Sequence, residues 1–450
     1  MAVRKKGFWS RNKSKVAKKN TPDKARRRTG VHMEQLEQRI LLSADFTFTA
    51  HPDANDLTLR LTDVQGVETF QLINNSDSSV VASQAAADTD RIIINGSEQN
   101  DAVIIDFSQP FNNSVIISDD SSTDSDVLGI TGGGRTWYIT GKDSGASGTV
   151  SFGGMENLQG GADNQDTFVL DAQGSVTGTI LGGDRGFDTL VLPDSPYSTV
   201  AFTPTGADSG LIALDALTIT YAGLEPITYS GTATDMVFNL TASGDQAILE
   251  TIGSNLRLRS ANATFEQTDF AAPTGSLTIS GQGGSDSITL ASTLTIDNGM
   301  DLHVDAETII VSAGAYLRMN EIFLEASSTG EGGISGLADA ALDLFFDEAV
   351  MADSTARLQV GAATLMAWNI TLTAESTVNL STDGAGISDL RAAVAYGASD
   401  AEVTVNGADI TTSGDLTIAA VSNLGAAAIL TATHTSADSR LDAAVAITVG

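Results

Sequence analysis

Short apolar segments separated by turn residues dominate this chain from residue 46 onward. Segments such as Leu57–Leu61, Leu217–Tyr221 and Leu277–Ile279 have the period-two character of strands and recur about every 10–12 residues. Gly, Asn, Asp and Ser lie between them, where tight turns need left-handed or side-chain-bonded backbone. Helical periods are scarce, and the best candidate for one helical turn or a loop is Leu337–Val350. The pattern therefore predicts an all-β fold.

The chain also contains internal repeats. Residues 91–105 align with residues 276–290, and both segments consist of a strand, a glycine turn with an aspartate, and a second strand. A second form occurs twice in succession, at residues 161–169 and 183–191. Repeated units of this kind stack on one another and bury a continuous core. We therefore predict a right-handed parallel β-helix, or β-solenoid, although a β-sandwich remains open for residues 46–150.

Four segments follow from these patterns. Residues 1–30 are predicted to be a disordered basic tail and residues 31–45 a sorting segment. Residues 46–290 are predicted to form a β-solenoid with aspartate-bearing turns, and residues 291–450 a β-helix. Because the chain stops in an apolar strand without a polar cap, we expect further coils of the same chain after Gly450.

Charge is distributed very unevenly along the chain. Residues 1–40 carry 13 Lys or Arg and three acidic residues, although the whole chain has a net charge of −32. The basic tail is expected to be solvated or to act in targeting. Lys142 is the only lysine beyond Lys24, so the acidic remainder is not expected to bind nucleic acid. The chain has no apolar run of about 18 residues, so no membrane-spanning segment is expected.

The aspartates in the glycine turns could ligate a cation. Calcium takes about six to eight oxygen ligands, so one turn is insufficient and two stacked turns are required. Asp166 and Asp188 are 22 residues apart, which is about one coil of a solenoid. We predict that the turn with Asp163 and Asp166 lies directly above the turn with Asp184 and Asp188, and that calcium binds between them.

Asp101 and Asp286 occupy two further turns of this type and are also candidate calcium ligands, but no stacked partner is evident for either in the sequence. The same turns form without metal as well, because glycine adopts the left-handed conformation and aspartate bonds its own backbone. The acid pairs Asp119-Asp120 and Asp124/Asp126 could flank a glycosidic bond, but a solvated loop is the more economical interpretation.

A motif lies at the boundary between the basic tail and the acidic remainder of the chain. Met33–Ala44, with the sequence MEQLEQRILLSA, resembles the LEPR-XLL segment at the N-terminus of very large repetitive proteins of Gram-negative-type bacteria, with Gln38 where that segment usually has proline. The basic stretch before it agrees with the same family. The resemblance implies a surface or secreted protein much longer than 450 residues, in which the segment acts in sorting or processing.

The repeats resemble the same class of proteins. Residues 148–170, which end in GGMENLQGGADNQDTFVL, are similar to units of giant bacterial adhesins and hemolysin-type calcium-binding proteins. The four aspartate turns resemble degenerate copies of the nonapeptide of calcium-binding β-rolls. Residues 291–450 are similar only in general terms to a filamentous-hemagglutinin-type β-helix. This resemblance implies calcium as the cofactor.

Enzyme signatures are missing from the sequence. The four histidines are scattered, and no nucleophile elbow or phosphate-binding loop is present. We therefore predict a non-enzymatic structural shaft of a large extracellular or cell-surface adhesin-like protein, whose partner is a host or neighbouring cell surface or a polysaccharide. Two alternatives remain open, a carbohydrate-active β-helix enzyme and a calcium-binding extracellular matrix protein.

Overall fold

The computed structural model describes residues 43–121, 123–331, 348–379, 393–423 and 446–448. Within these ranges every regular element is a strand, apart from a 3-10 turn at Ala86–Asp88, so the predicted all-β class is confirmed. No helix of the described residues is long and apolar enough to cross a membrane. The basic tail, nearly all of the sorting segment and most of Leu337–Val350 lie outside the described residues, although residues 348–350 begin a strand.

The strands are numbered along the chain. The first twenty are Ala44–Thr49 (β1), Asp56–Val64 (β2), Val67–Asn74 (β3), Ser79–Ala85 (β4), Thr89–Asn95 (β5), Ala102–Asp106 (β6), Ser114–Ser118 (β7), Val127–Thr131 (β8), Thr136–Gly141 (β9), Ser144–Ser147 (β10), Val150–Gly153 (β11), Asn157–Gln159 (β12), Thr167–Leu170 (β13), Thr179–Leu181 (β14), Thr189–Val191 (β15), Tyr197–Gly206 (β16), Ser209–Leu214 (β17), Leu217–Ala222 (β18), Ile227–Tyr229 (β19) and Ala233–Asn239 (β20). The others are Gln246–Ile252 (β21), Asn255–Ser260 (β22), Thr268–Phe270 (β23), Ser276–Ser280 (β24), Ser287–Leu290 (β25), Thr295–Asp297 (β26), Asp301–Ala306 (β27), Thr308–Val311 (β28), Tyr316–Arg318 (β29), Glu321–Glu331 (β30), Glu348–Val360 (β31), Thr364–Ala367 (β32), Asn369–Asn379 (β33), Ala393–Val405 (β34), Asp409–Thr412 (β35), Leu416–Ser422 (β36) and Ala446–Thr448 (β37).

These strands form three sheets. Sheet 1 has 16 strands in the order β1-β5-β7-β11-β10-β9-β13-β15-β19-β23-β22-β21-β25-β28-β31-β34. Its pairs are parallel except within β9-β10-β11 and β21-β22-β23, where antiparallel strands are inserted. Sheet 2 pairs β4-β3-β2-β6-β8-β12-β14-β18-β17-β16-β20-β24-β27-β30-β33-β36-β37 in one series, again mostly parallel. Sheet 3 contains β26, β29, β32 and β35, all parallel.

From β25 to β36 the chain visits the three sheets in a fixed order. Strands β25, β26 and β27 belong to sheets 1, 3 and 2, and β28, β29 and β30 repeat that order. Ser287 pairs with Thr308 and Thr295 with Tyr316, so each of these positions stacks on one 21 residues later. Short strands joined in this way satisfy their backbone hydrogen bonds through neighbours on both sides.

The core lies between the sheets and follows from the alternation of the strands. In β2, Leu57 and Leu59 are fully buried while the residues between them face outward, and the same pattern recurs along the chain. In a parallel pair, residues in register project to the same face, so apolar side chains stack on apolar side chains. Trp137 and Phe168 are paired and their rings stack with centroids 5.4 Å apart. Burial of this continuous apolar ladder is the main stabilising contribution.

Polar residues stack in the same way near the end of the described chain. Ser354, Ser376, Ser399 and Ser422 are all buried. Each of the last three hydroxyls donates to the backbone carbonyl of the serine one coil earlier, at 2.9–3.0 Å. Buried hydroxyls are tolerated only when bonded in this way. The ladder therefore keeps the register of the last coils.

Candidate metal centre

The predicted stacking of two aspartate turns is present. Thr167 pairs with Thr189, so Asp166 and Asp188 precede paired residues of β13 and β15. The backbone N–H of Asp166 donates to Oδ1 of Asp188 at 2.7 Å. Oδ1 and Oδ2 of Asp166 in turn accept from the N–H groups of Arg135 and Gly161 at 2.7 and 2.8 Å. Both carboxylates are almost completely buried and serve as acceptors for turn backbone.

Asp163 and Asp184 lie on the outside of the same two turns. Both are exposed, and Asp163 forms a surface ion pair with Arg185 at 3.0 Å. Its backbone N–H donates to the carbonyl oxygens of Asp184 and Arg185. These backbone hydrogen bonds join the two turns directly. Calcium between them remains a prediction, and the structure gives the two buried carboxylates a second role that needs no ion.

The expectation that Asp101 and Asp286 have no stacked partner is wrong. The N–H of Asp101 donates to Oδ1 of Asp126 at 2.8 Å, and the N–H of Asp126 donates to Oε2 of Glu156 at 2.8 Å. These three residues directly precede Ala102, Val127 and Asn157, which are paired in β6, β8 and β12. We name Asp101, Asp126 and Glu156 column I.

Asp286 belongs to a second column of the same construction. The N–H of Asp245 donates to Oδ1 of Asp286, and the N–H of Asp286 donates to Oε2 of Glu307, at 2.8 and 2.7 Å. We name Asp245, Asp286 and Glu307 column III, and Asp166 with Asp188 column II. Burial raises the pKa of Asp286 to about 6, and nearby carboxylates add to the shift. In each column, a carboxylate of one coil accepts a hydrogen bond from the backbone N–H of the residue that directly precedes a strand of the neighbouring coil.

Column I differs from the other two because further carboxylates surround it. Asp119 follows β7, at the end of a sheet 1 strand, and Asp124 lies in the connection between β7 and β8. Carboxylate oxygens of Asp101, Asp119 and Asp126 all lie within 4.8 Å of one another, and so do those of Asp124, Asp126 and Glu156. Asp126 is shared by both groups. We call these five residues the five-carboxylate cluster.

Glycines on both sides make room for Asp119. Residues 95, 118 and 153 are paired, so Gly96 and Gly154 flank Asp119 in the adjacent coils. A Cβ atom at Gly96 would overlap Oδ2 of Asp119. A Cβ at Gly154, where φ is +76°, would overlap the backbone carbonyl of Asp119. The carboxylate of Asp119 can therefore occupy its place only because Gly96 has no side chain, and the backbone of Asp119 can pass Gly154 for the same reason.

The cluster holds several buried oxygens without a hydrogen-bond partner. They are Oδ1 of Asp101, Oδ2 of Asp119, both oxygens of Asp124 and Oδ2 of Asp126. Asp101 is 2% exposed and Asp126 is completely buried. Burial raises the pKa of Asp101 and Asp119, and raises that of Asp126 to about 7. The charges of neighbouring carboxylates contribute to each of these three shifts.

The sequence interpretation missed four of these five residues. The SDDSSTDSD segment at residues 118–126 was expected to be a solvated loop, and this is correct for Asp120, which is exposed. It is wrong for Asp126, and Asp119 and Asp124 are half-buried. The available signal was the position of Asp126 directly before the apolar strand Val127–Ile130, which is also the position of Asp101 before β6.

A separate surface groove of about 420 Å³ contains a second pair of acids. Its lining includes Phe187, Glu225, Arg259 and Glu266. Burial, followed by the charge of Glu225, raises the pKa of Glu266 to about 8.

Glu266 should make stability fall with rising pH. Its folded pKa lies above the ordinary value of 4.5, so its contribution is complete below about pH 4.5 and is lost as pH rises through about 8. We expect a loss on the order of 2–4 kcal/mol from this group between about pH 5 and pH 9. The titratable groups around Glu266 are the same in wild type and in the Glu266→Gln variant; they are Glu225, Asp208, Tyr221 and Arg259. Melting temperatures in EDTA should show a flatter pH profile for Glu266→Gln, and parallel profiles would contradict the assignment.

No family model, curated protein or solved structure matches this chain.

Proposed function

We propose that the chain is a non-enzymatic β-solenoid shaft of a large surface-exposed or secreted adhesin-like protein. One observation carries the proposal, the in-register parallel stacking of coils around a continuous apolar core. From β25 to β36 each coil contributes one strand to each of three sheets in the same order. A stack of this kind extends by adding coils, and each coil contacts only its neighbours. Such a shaft would hold binding modules at a distance from the cell.

Other features agree with an extracellular location. The chain has no cysteine and a net charge of −32. Coils held by backbone ladders, carboxylate columns and a serine ladder need no disulfide. The similarity of Met33–Ala44 to the LEPR-XLL segment supports a place within a larger surface or secreted protein. The binding partner of that protein would be a host or neighbouring cell surface or a polysaccharide.

A calcium-binding extracellular matrix protein is the second candidate. It is favoured by the five-carboxylate cluster, whose unpartnered oxygens suit a cation. The two candidates share the solenoid and differ in whether the protein also carries an adhesive module. Nothing in the groove at Glu266 favours the carbohydrate-active enzyme over either of them.

Negative-stain electron microscopy of the purified 450-residue chain tests the shaft. Sixteen strands of sheet 1, spaced about 4.8 Å apart, predict an elongated body about 75 Å long within the unit Ser43–Gly450. Sheets about 10 Å apart, with their outward side chains, predict a width of roughly 25 Å. Round particles without a long axis would contradict a shaft and would leave the pairing of individual strands to another explanation.

A further inference from the structure

We propose that the five-carboxylate cluster binds a divalent cation, calcium in preference to magnesium. The candidate ligands are carboxylate oxygens of two overlapping groups that share Asp126, namely Asp101, Asp119 and Asp126, and Asp124, Asp126 and Glu156. The inference goes beyond the shaft, because the cluster is built by consecutive turns of the chain whatever larger protein contains them. It also lies apart from the Asp166/Asp188 turns, and four of its residues belong to no glycine-aspartate repeat.

Unpartnered oxygens are the first argument. Oδ1 of Asp101 and Oδ2 of Asp126 belong to side chains that are more than nine-tenths buried, and neither atom accepts a hydrogen bond. Their other oxygens are used, since Asp101 Oδ2 accepts from Ser97 and Asp126 Oδ1 from Asp101. A buried carboxylate oxygen without a partner is costly, so a ligand that binds it is strongly favoured. In column II the second oxygen of Asp166 accepts from Gly161 instead.

Uncompensated charge is the second argument. Among the described residues, none of the five carboxylates forms an ion pair with Lys, Arg or His. Elsewhere acids have cationic neighbours, such as Arg257 with Asp269 at 2.6 Å. Five acids in one partly buried place repel one another, and burial adds the cost of removing charge from water. A divalent cation removes both costs.

The donor set and its spacing indicate the kind of cation. All the donors are carboxylate oxygens, which suit hard cations and not zinc or copper. Two oxygens on one calcium, each about 2.3–2.6 Å away, can be at most about 5 Å apart. The oxygens of each group all lie within 4.8 Å of one another, which is within that reach. Magnesium demands octahedral geometry at about 2.0–2.1 Å and gives up its waters reluctantly, so a site built only of protein carboxylates suits calcium better.

Calorimetric titration of the metal-stripped 450-residue chain with CaCl₂ and then MgCl₂ tests the proposal. We expect saturable calcium binding at least about tenfold tighter than magnesium binding. Asp124→Asn is the main variant, because neither oxygen of Asp124 accepts a hydrogen bond and its loss should leave the backbone of column I intact. We expect it to weaken calcium binding at least about tenfold, and Asp119→Asn to do the same.

Two control variants distinguish calcium binding at this cluster from a general effect of removing one acidic residue. Asp120→Asn removes the same charge beside Asp119 from an exposed side chain, and Asp286→Asn alters column III, which belongs to neither of the two carboxylate groups found among the described residues. Both should keep wild-type calcium affinity at this site. Absence of saturable binding, or equal affinity in wild type, Asp119→Asn and Asp124→Asn, would overturn the proposal. Because this readout is affinity and not particle shape, its failure is distinguishable from failure of the shaft.

Discussion

Asp166→Ala should lower the free energy of unfolding by about 4 kcal/mol, even when EDTA removes every divalent cation. The carboxylate accepts from the N–H groups of Arg135 and Gly161, at 2.7 and 2.8 Å. Removing it leaves both donors without a partner in a place that is almost completely buried. Each such donor costs about 1–3 kcal/mol, and alanine supplies no replacement acceptor. Urea denaturation followed by circular dichroism measures the loss.

Asp184→Ala is the control for this prediction. Asp184 lies in the adjacent stacked turn, but its side chain is exposed, so the same change should alter stability by at most about 0.5 kcal/mol. Equal losses in the two variants would show that the column carboxylate is not a structural acceptor. Adding calcium then tests the original prediction for this pair. If the ion also binds there, calcium should stabilise wild type by more than it stabilises Asp166→Ala, in which only the five-carboxylate cluster remains to bind it.

Regular spacing made this part of the architecture predictable from the sequence. Residues 161–169 and 183–191 are nearly identical in pattern and 22 residues apart, so stacking Asp166 on Asp188 required only one assumption about coil length. Columns I and III lack that regularity. Asp126 follows Asp101 by 25 residues, and Asp286 follows Asp245 by 41, because the β21-β22 hairpin is inserted between them. Without knowledge of which strands pair, the sequence does not show which residue stacks on Asp101 or on Asp245.

The five-carboxylate cluster was harder to predict for a different reason. A segment rich in Asp and Ser has the composition of a solvated loop, and only the flanking coils decide its burial. Asp119 can occupy its place because Gly96 and Gly154 stand beside it, and these residues are 23 and 35 positions away in the chain. Glu156 adds a carboxylate from the next coil. Burial of charge here is a property of the stack and not of the local sequence.

Deleting residues 287–307 should leave a folded protein that is one coil shorter. The deletion removes β25, β26 and β27 and joins Asp286 to Thr308, which would occupy the former position of Ser287. The replacement core is closely matched, because Ile309 takes the place of Ile288 and Leu324 that of Val304. In sheet 3, β29 would replace β26 as the first strand, and the residues of these two strands occupy paired positions.

The shortened protein should be weaker at one identifiable point. Glu307 is lost, so the backbone N–H of Asp286 loses its acceptor, and the coil that follows presents Ala356 there instead. One unpaired buried donor costs about 1–3 kcal/mol, which lowers the melting temperature by a few degrees without abolishing the transition.

Deleting only residues 287–297 is the decisive comparison, because it removes two strands of the three in a coil. Every later strand would then reach the position of a different sheet, beginning with β27, which would take the place of a sheet 1 strand. The outward polar face of β27 would then face the core. We expect no cooperative thermal transition from this variant, although it has lost fewer residues. In a stack of coils the tolerated unit of change is a whole coil, since stability is a sum over coils and their interfaces. If the 21-residue deletion unfolds the protein as completely as the 11-residue one, the coils do not act as independent stacked units.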